Sequence, residues 1–427
     1  MAATATTFAS MSKIIVQGGR ALSGTVQVLG AKNAVLKEMV SALLAPGRHR
    51  LTNVPSILDV ELMCQVLEHT GCKVEQGDRE LWIVVPQDLK PEAPIDLVRA
   101  MRASIVVLGP LLARCGLARV ALPGGDDLGA RPIEWHMDGL EQMGASFELV
   151  HGELVGRVDG RLKGTEIELP FPSVGATENV LFAGVLAEGE TVIVNAAREP
   201  EIEDLVKQLS AMGAEIEGGG TSLINIKGVE RLHPVEHHVI PDRLEAGTYA
   251  VAGAITSGDV TVTGCLPEHL RMELRKLEAA GCEVEHGEGW LRVRGPERPQ
   301  PVDFATLPFP GFHTDMHPQM VALLSVASGT SVITENLYDA RFRYVGEMAR
   351  MGADILIEAQ HAIIRGVETL SGCPVLAPDI RAGAALVLAG LRAEGVTEVG
   401  EAVHIDRGYQ DFAGRLASLG GDVERSE

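Results

Sequence analysis

Six times along the chain, apolar residues at helical spacing close on a glycine, and an alternating apolar–polar stretch follows at once. The six instances are LEHTGCKVE, LEQMGASFE, LSAMGAEIE, LEAAGCEVE, MARMGADIL and LASLGGDVE, with glycines at Gly71, Gly144, Gly213, Gly281, Gly352 and Gly420. Each glycine stands where a helix C-terminus turns through the left-handed backbone region. The alternation after it predicts a strand with one buried face. Successive glycines lie 68 to 73 residues apart. Solenoid repeats run to roughly 20 to 50 residues, so each unit here is a small α/β module in its own right.

Six modules in 427 residues divide into two groups of three. Such a chain is too long for one ordinary core. The segment Val229 to Pro241 mixes Pro, His and charge between periodic stretches and offers one boundary. A second crossing is expected at Gly30 to Asn33, because the first strand, Ser12 to Val16, precedes it without a complete module. The predicted class is therefore α/β with α+β character. A first domain takes 12–31 plus 240–427, a second takes 32–239, and 1–11 form a disordered tail. A cleft between two such domains is the usual place for a ligand.

Composition narrows the class further. A formal net charge of −21 argues against nonspecific binding to nucleic acid or an anionic membrane. The six cysteines are scattered without CxxC spacing, which fits reduced thiols in a cytoplasmic protein. No stretch approaches the roughly 20 apolar residues of a membrane span. The start, MAATATTFAS, has neither a basic nor an apolar signal region, and Met11 is an alternative first residue.

Against that acidic background, certain cations stand out because each opens or edges an apolar element. They are Lys32, Arg102, Arg131, Arg341, Arg381 and Arg407. Lys32 and Asn33 begin an apolar helix, where charge and helix dipole together favour an anion; the bland alternative is a cap with a solvated lysine. Residues 122–132 read LPGGDDLGARP, which puts Asp126 and Asp127 a few residues from Arg131 on a glycine-rich loop. An acid beside a fixed cation suits proton transfer to an anionic substrate, although Gly and Asp also make ordinary surface turns. PSVGATEN is read as a turn with exposed backbone donors, and Glu199 and Glu201 as carboxylates biasing a helix start. In HTDMH, alternate spacing would put His313, Asp315 and His317 on one strand face as metal ligands, but no supporting His or Cys cluster accompanies them. Converging cations imply an enzyme or binder for a small, multiply anionic molecule.

On GAKNA, MRASI, LPGG..GARP, SVGATEN, NAAREPEI, PDR.E.GT, TDM, RF, DIRA and HIDRGY, in that order, the chain resembles the UDP-N-acetylglucosamine 1-carboxyvinyltransferase family of enolpyruvyl transferases. The resemblance runs from about Lys13 to Glu424. It implies an inside-out, barrel-like α/β fold with three βαβαββ-type units in each of two domains. It also implies transfer of the enolpyruvyl group of phosphoenolpyruvate to the 3′-hydroxyl of UDP-N-acetylglucosamine, the first committed step of peptidoglycan synthesis. No metal, organic cofactor or obligate protein partner is implied. By the same resemblance Lys32, Asn33, Arg131 and Arg407 would grip phosphoenolpyruvate. Arg102, the run Arg131, Pro132, Ile133, Glu134 and Trp135, then Ser173, Val174, Gly175, Asp315 and Leu337 would hold the UDP-sugar. Asp315 is the implied proton acceptor, and Arg341, Asp379 and Arg381 would line the closed site. Phe171 and Pro172 stand at positions that vary in the family, so no charged uridine contact is expected there.

The main departure is Asp126. Most of the family carries a cysteine there, which donates the proton and is alkylated by the epoxide fosfomycin. A carboxylic acid can donate that proton but is a far poorer nucleophile, so an active and fosfomycin-insensitive enzyme is expected. Cys115 precedes the loop in an apolar helix and is read as packing. Rival readings are the same fold acting on shikimate 3-phosphate, and a silent paralogue that senses a UDP-sugar.

Overall fold

The structure, a computed structural model, describes residues 12–122 and 133–427, the side chains at 99, 100 and 102 excepted. The loop bearing Asp126, Asp127, Arg131 and Pro132 lies outside the described residues, as does the segment 1–11.

The chain falls into two compact units. One takes the described residues up to Leu29 together with Pro241–Glu427, and the other the described residues of 30–240. Each has its own hydrophobic core, and the two cores share no residue.

All six repeat glycines adopt positive φ, between 91° and 103°. A side chain would be strained there, which is why the repeat keeps glycine. The strand after each glycine belongs to one of six four-stranded sheets. In the second unit one sheet runs Glu236–His238, Gly47–Thr52, Glu80–Val85, Lys73–Gly77. Gly47–Thr52 pairs parallel with the first of these and antiparallel with Glu80–Val85, which forms a hairpin with Lys73–Gly77.

In every sheet the strand after the repeat glycine is an edge strand. It is accordingly more exposed than alternation alone suggests: Lys73–Gly77 and Glu215–Glu217 contain no fully buried residue. Charged side chains on such an edge discourage pairing with another chain.

The first unit completes its modules with the N-terminal segment. Lys13–Gln17 lies between Val396–Gly400 and Asp422–Ser426, antiparallel to both. It fills the place that a hairpin's return strand has in the other five sheets. Ser23–Gln27 then pairs parallel with Asp259–Thr263.

Each module opens with an apolar helix that goes inside. In the first unit Arg243–Ile255, His317–Leu324 and Ile380–Arg392 pack on one another. Every residue of the first two is buried. Helices apolar on all sides belong in an interior, and the sheets wrap outside them. No helix among the described residues is long and apolar enough to cross a membrane.

Candidate active-site groups

In the second unit, helix Lys32–Ser41 begins at Lys32, and no side chain caps its first turn. The dipole of a helix start favours an anion. Lys32 is not the solvated cap of the bland reading. Its side chain is 13% exposed, and Nζ lies 3.0 Å from the buried Asp59 Oδ2.

One turn on, Lys37 Nζ donates to the Asn33 carbonyl at 2.9 Å and stands 3.4 Å from Glu178 Oε1. Burial pushes the Glu178 carboxyl up to about 7; Lys37 opposes that shift, while Glu201 and Glu199 add to it. These last two do flank the start of helix Pro200–Ala211, but they are buried rather than solvated. A buried charge network thus supports the helix that presents Lys32. Lys37 and Glu178 escaped the sequence reading, although Glu178 falls inside SVGATEN.

SVGATEN forms a helix start, not the turn expected. Ser173 caps helix Val174–Gly184 by accepting from Ala176 N–H at 3.3 Å. Close packing brings Ile133–Trp135 to this end. A side chain at Gly175 would meet the His136 ring at 2.7 Å, and His136 Nδ1 lies 2.7 Å from Asn179 Nδ2. Trp135 also stacks on Phe171, centroids 5.7 Å apart at 24°. The backbone of Arg102 opens the 3₁₀ turn Arg102–Val107. Cys115 ends helix Leu108–Cys115, where burial pushes its thiol up, in keeping with a packing role.

In the first unit the candidates gather around Asp315. Arg341 Nη2 donates to its Oδ1 at 2.9 Å, and Arg381 Nε to its Oδ2 at 3.3 Å. Both arginines are almost wholly buried, whereas the Asp315 side chain keeps 21% exposure. Burial disfavours the Arg341 charge, yet Asp315, Asp379 and Glu335 outweigh it and hold the guanidinium above its ordinary value. Arg381 is likewise raised against burial, and it lies over the Tyr409 ring at 5.1 Å. Arg407 is half-buried at the end of the short helix Val403–Asp406, two residues before that tyrosine.

Asp379 caps helix Ile380–Arg392 through the N–H groups of Arg381 (2.9 Å) and Ala382 (3.0 Å). Asp242 does the same for Arg243–Ile255 at 2.8 and 3.0 Å, so PDR and PDIR are one structural device used twice. Glu335, absent from the sequence candidates, organises the surroundings. It accepts from Thr306 and Thr314 hydroxyls, both at 2.9 Å, and from Leu337 N–H at 2.8 Å. It thereby fixes Leu337 and the residue just before Asp315.

HTDMH does not form the strand face weighed for it, and set aside as a metal site, in the sequence. Thr314–Met316 is a 3₁₀ turn and His317 starts a helix, so alternate residues do not share a strand face. His313 accepts the Asp315 N–H through Nδ1 at 3.0 Å. His317 is held well below its ordinary value by burial and by Arg341, and it packs edge-on against Phe342.

A sequence profile of the EPSP synthase (3-phosphoshikimate 1-carboxyvinyltransferase) family matches residues 16–416. The chain is 54% identical to the UDP-N-acetylglucosamine 1-carboxyvinyltransferase of Corynebacterium jeikeium, covering 96% of this chain and 98% of that one. The enzyme of the same name from Mycobacterium tuberculosis is 52% identical, at 97% and 99% coverage. Among solved structures, the enolpyruvyl transferase NikO from Streptomyces tendae aligns with a TM-score of 0.88 at 25% identity, covering 98% of this chain and 99% of that one. EPSP synthase from Acinetobacter baumannii aligns at 0.75 and 21% identity, over 98% and 100%, a likeness of fold alone.

Proposed function

Since this chain belongs to the EPSP synthase (3-phosphoshikimate 1-carboxyvinyltransferase) family, we propose that it transfers the enolpyruvyl group of phosphoenolpyruvate to the 3′-hydroxyl of UDP-N-acetylglucosamine and releases phosphate. The observation that carries the choice of acceptor is identity above half, over nearly the whole chain, with relatives named for that reaction.

The reaction is an addition followed by an elimination. The sugar oxygen bonds to C2 of phosphoenolpyruvate and gives its proton to Asp315, while Asp126 protonates C3. Breaking the C2–O bond to phosphate and removing a proton from C3 then restore the double bond. Charge develops on carbon and phosphate, so fixed cations supply much of the barrier reduction. Lys32, at the positive end of its helix, and Asn33, Arg131 and Arg407 would hold the phosphate and carboxylate. Arg341 and Arg381 grip both Asp315 oxygens, which supports its role as an oriented acceptor. The aromatic pair Trp135–Phe171, beside Ser173 to Gly175, supports placing the uridine end there.

Phosphate release, measured with UDP-N-acetylglucosamine and with shikimate 3-phosphate, tests the reading: turnover is expected with the first only. Release with shikimate 3-phosphate, or with neither acceptor, overturns it. Asp126→Ala is expected to lower the rate by roughly 10² to 10⁴. Wild type should resist fosfomycin and Asp126→Cys should become sensitive, because a thiolate opens an epoxide far faster than a carboxylate does.

A further inference from the structure

A second cluster of titratable side chains lies within the second unit, on residues that the transferase reading does not use. Glu38 comes from helix Lys32–Ser41, Asp204 from helix Pro200–Ala211, and His237 from strand Glu236–His238. One donor atom from each falls within 4.8 Å of the other two. Among the described residues no other set of three His, Cys, Asp or Glu side chains converges in this way.

The polar contacts within the cluster are long. His237 Nε2 is 3.3 Å from Asp204 Oδ1 and 3.5 Å from Glu38 Oε1, beyond the ordinary range of about 2.7 to 3.2 Å. Glu38 is completely buried, and neither of its carboxylate oxygens has a hydrogen-bond partner. A buried carboxylate in that condition is costly unless something positive stands beside it.

The spacings do match donor atoms on a shared cation. With metal–ligand bonds of about 2.0 to 2.1 Å, neighbouring ligands of a tetrahedral ion lie about 3.3 to 3.4 Å apart. One imidazole nitrogen and two carboxylate oxygens form a donor set suited to borderline divalent transition ions, zinc above all. A supporting contact is also in place. The other Asp204 oxygen accepts from Ile240 N–H at 3.0 Å, which fixes the carboxylate's orientation. His237 retains 12% side-chain exposure, so the cluster lies close to the surface at that residue.

We propose that Glu38, Asp204 and His237 form a structural binding site for one divalent transition cation. Bound there, the ion ties the helix that starts at Lys32 to two segments remote in sequence. It takes no part in bond making, and the proposal does not depend on the enzymatic reading.

The competing occupants are protons: one on Glu38, whose carboxyl burial holds well above its usual range, and one on His237, which Asp204 and Glu38 raise to about 10 against burial. The test uses the full chain, stripped with a chelator and titrated with Zn²⁺ by calorimetry, with metal content measured after desalting. One Zn²⁺ per chain and a higher melting temperature are expected. Glu38→Gln and His237→Gln should each weaken binding by at least tenfold while melting normally in chelator. Cobalt in place of zinc should give the intense visible bands of a tetrahedral site, a readout on wild type that needs no variant. Absence of stoichiometric zinc, or binding unchanged by both substitutions, overturns the proposal in favour of the protons.

Discussion

Arg341 and Arg381 keep their charges inside a core because Asp315 stands between them. Removing one member of such a buried set leaves an uncompensated charge and costs several times what an exposed pair is worth. Glu245 illustrates the opposite sign. It accepts from Leu29 N–H at 2.9 Å and from Arg415 at 3.2 Å, yet burial still pushes its carboxyl up to about 7. The unfolded chain loses that proton near 4.5, whereas the folded chain holds it to about 7. Between those values the folded state binds more protons, so its stability falls as pH rises through the window, by up to ~3 kcal/mol. Glu245→Gln keeps an acceptor for Leu29 and removes the titration. Urea unfolding from pH 4.5 to 8 should show a flatter stability profile for the variant than for wild type. Lys32, Arg341 and Arg381 were legible as cations at element ends, and Asp315 as an acid between two histidines. Lys37 with Glu178, Glu335 with Thr306 and Thr314, and the Glu38 cluster were not, because each is defined by partners distant in sequence.

Elements were read most directly where one backbone requirement selects one residue. The six repeat glycines are the clearest case, since positive φ after a helix leaves little alternative. The turn reading of SVGATEN failed because Ser173 satisfies a helix N-terminus equally well, and only packing against His136 decides. The strand option weighed for HTDMH could not be decided in the sequence either, since a period of two cannot be told from a 3₁₀ turn over three residues. Caps also connect element stability to the site. Asp379 holds the first N–H groups of helix Ile380–Arg392, among them that of Arg381 itself. Asp379→Ala should cost about 0.5 to 2 kcal/mol, seen as a lower urea midpoint, and Asp379→Asn should recover most of the loss by restoring the acceptor.

At the scale of the whole molecule, three modules per unit follow from six glycines at near-constant spacing. The strand filling the sixth sheet was harder to place, because Lys13–Gln17 precedes every repeat and pairs with Val396–Gly400 and Asp422–Ser426 from the far end of the chain. Glu236–His238, by contrast, closes a sheet with strands that all precede it. That difference imposes an order during translation. Once residue 240 has left the ribosome, every strand of the second unit is available and its core can condense. The first unit must hold Lys13–Gln17 unpaired until the last segments emerge, a contact of very long sequence separation, whereas Ser23–Gln27 waits only for Asp259–Thr263. Ribosomes arrested some 40 codons beyond residue 240 should therefore carry a protease-resistant fragment spanning about 30–240, with residues 12–29 still open to cleavage. Protection of the N-terminal strands at that stage would contradict this order. The first strand is made first and used last, and through the later part of synthesis this enzyme is half a folded protein trailing an unfinished one.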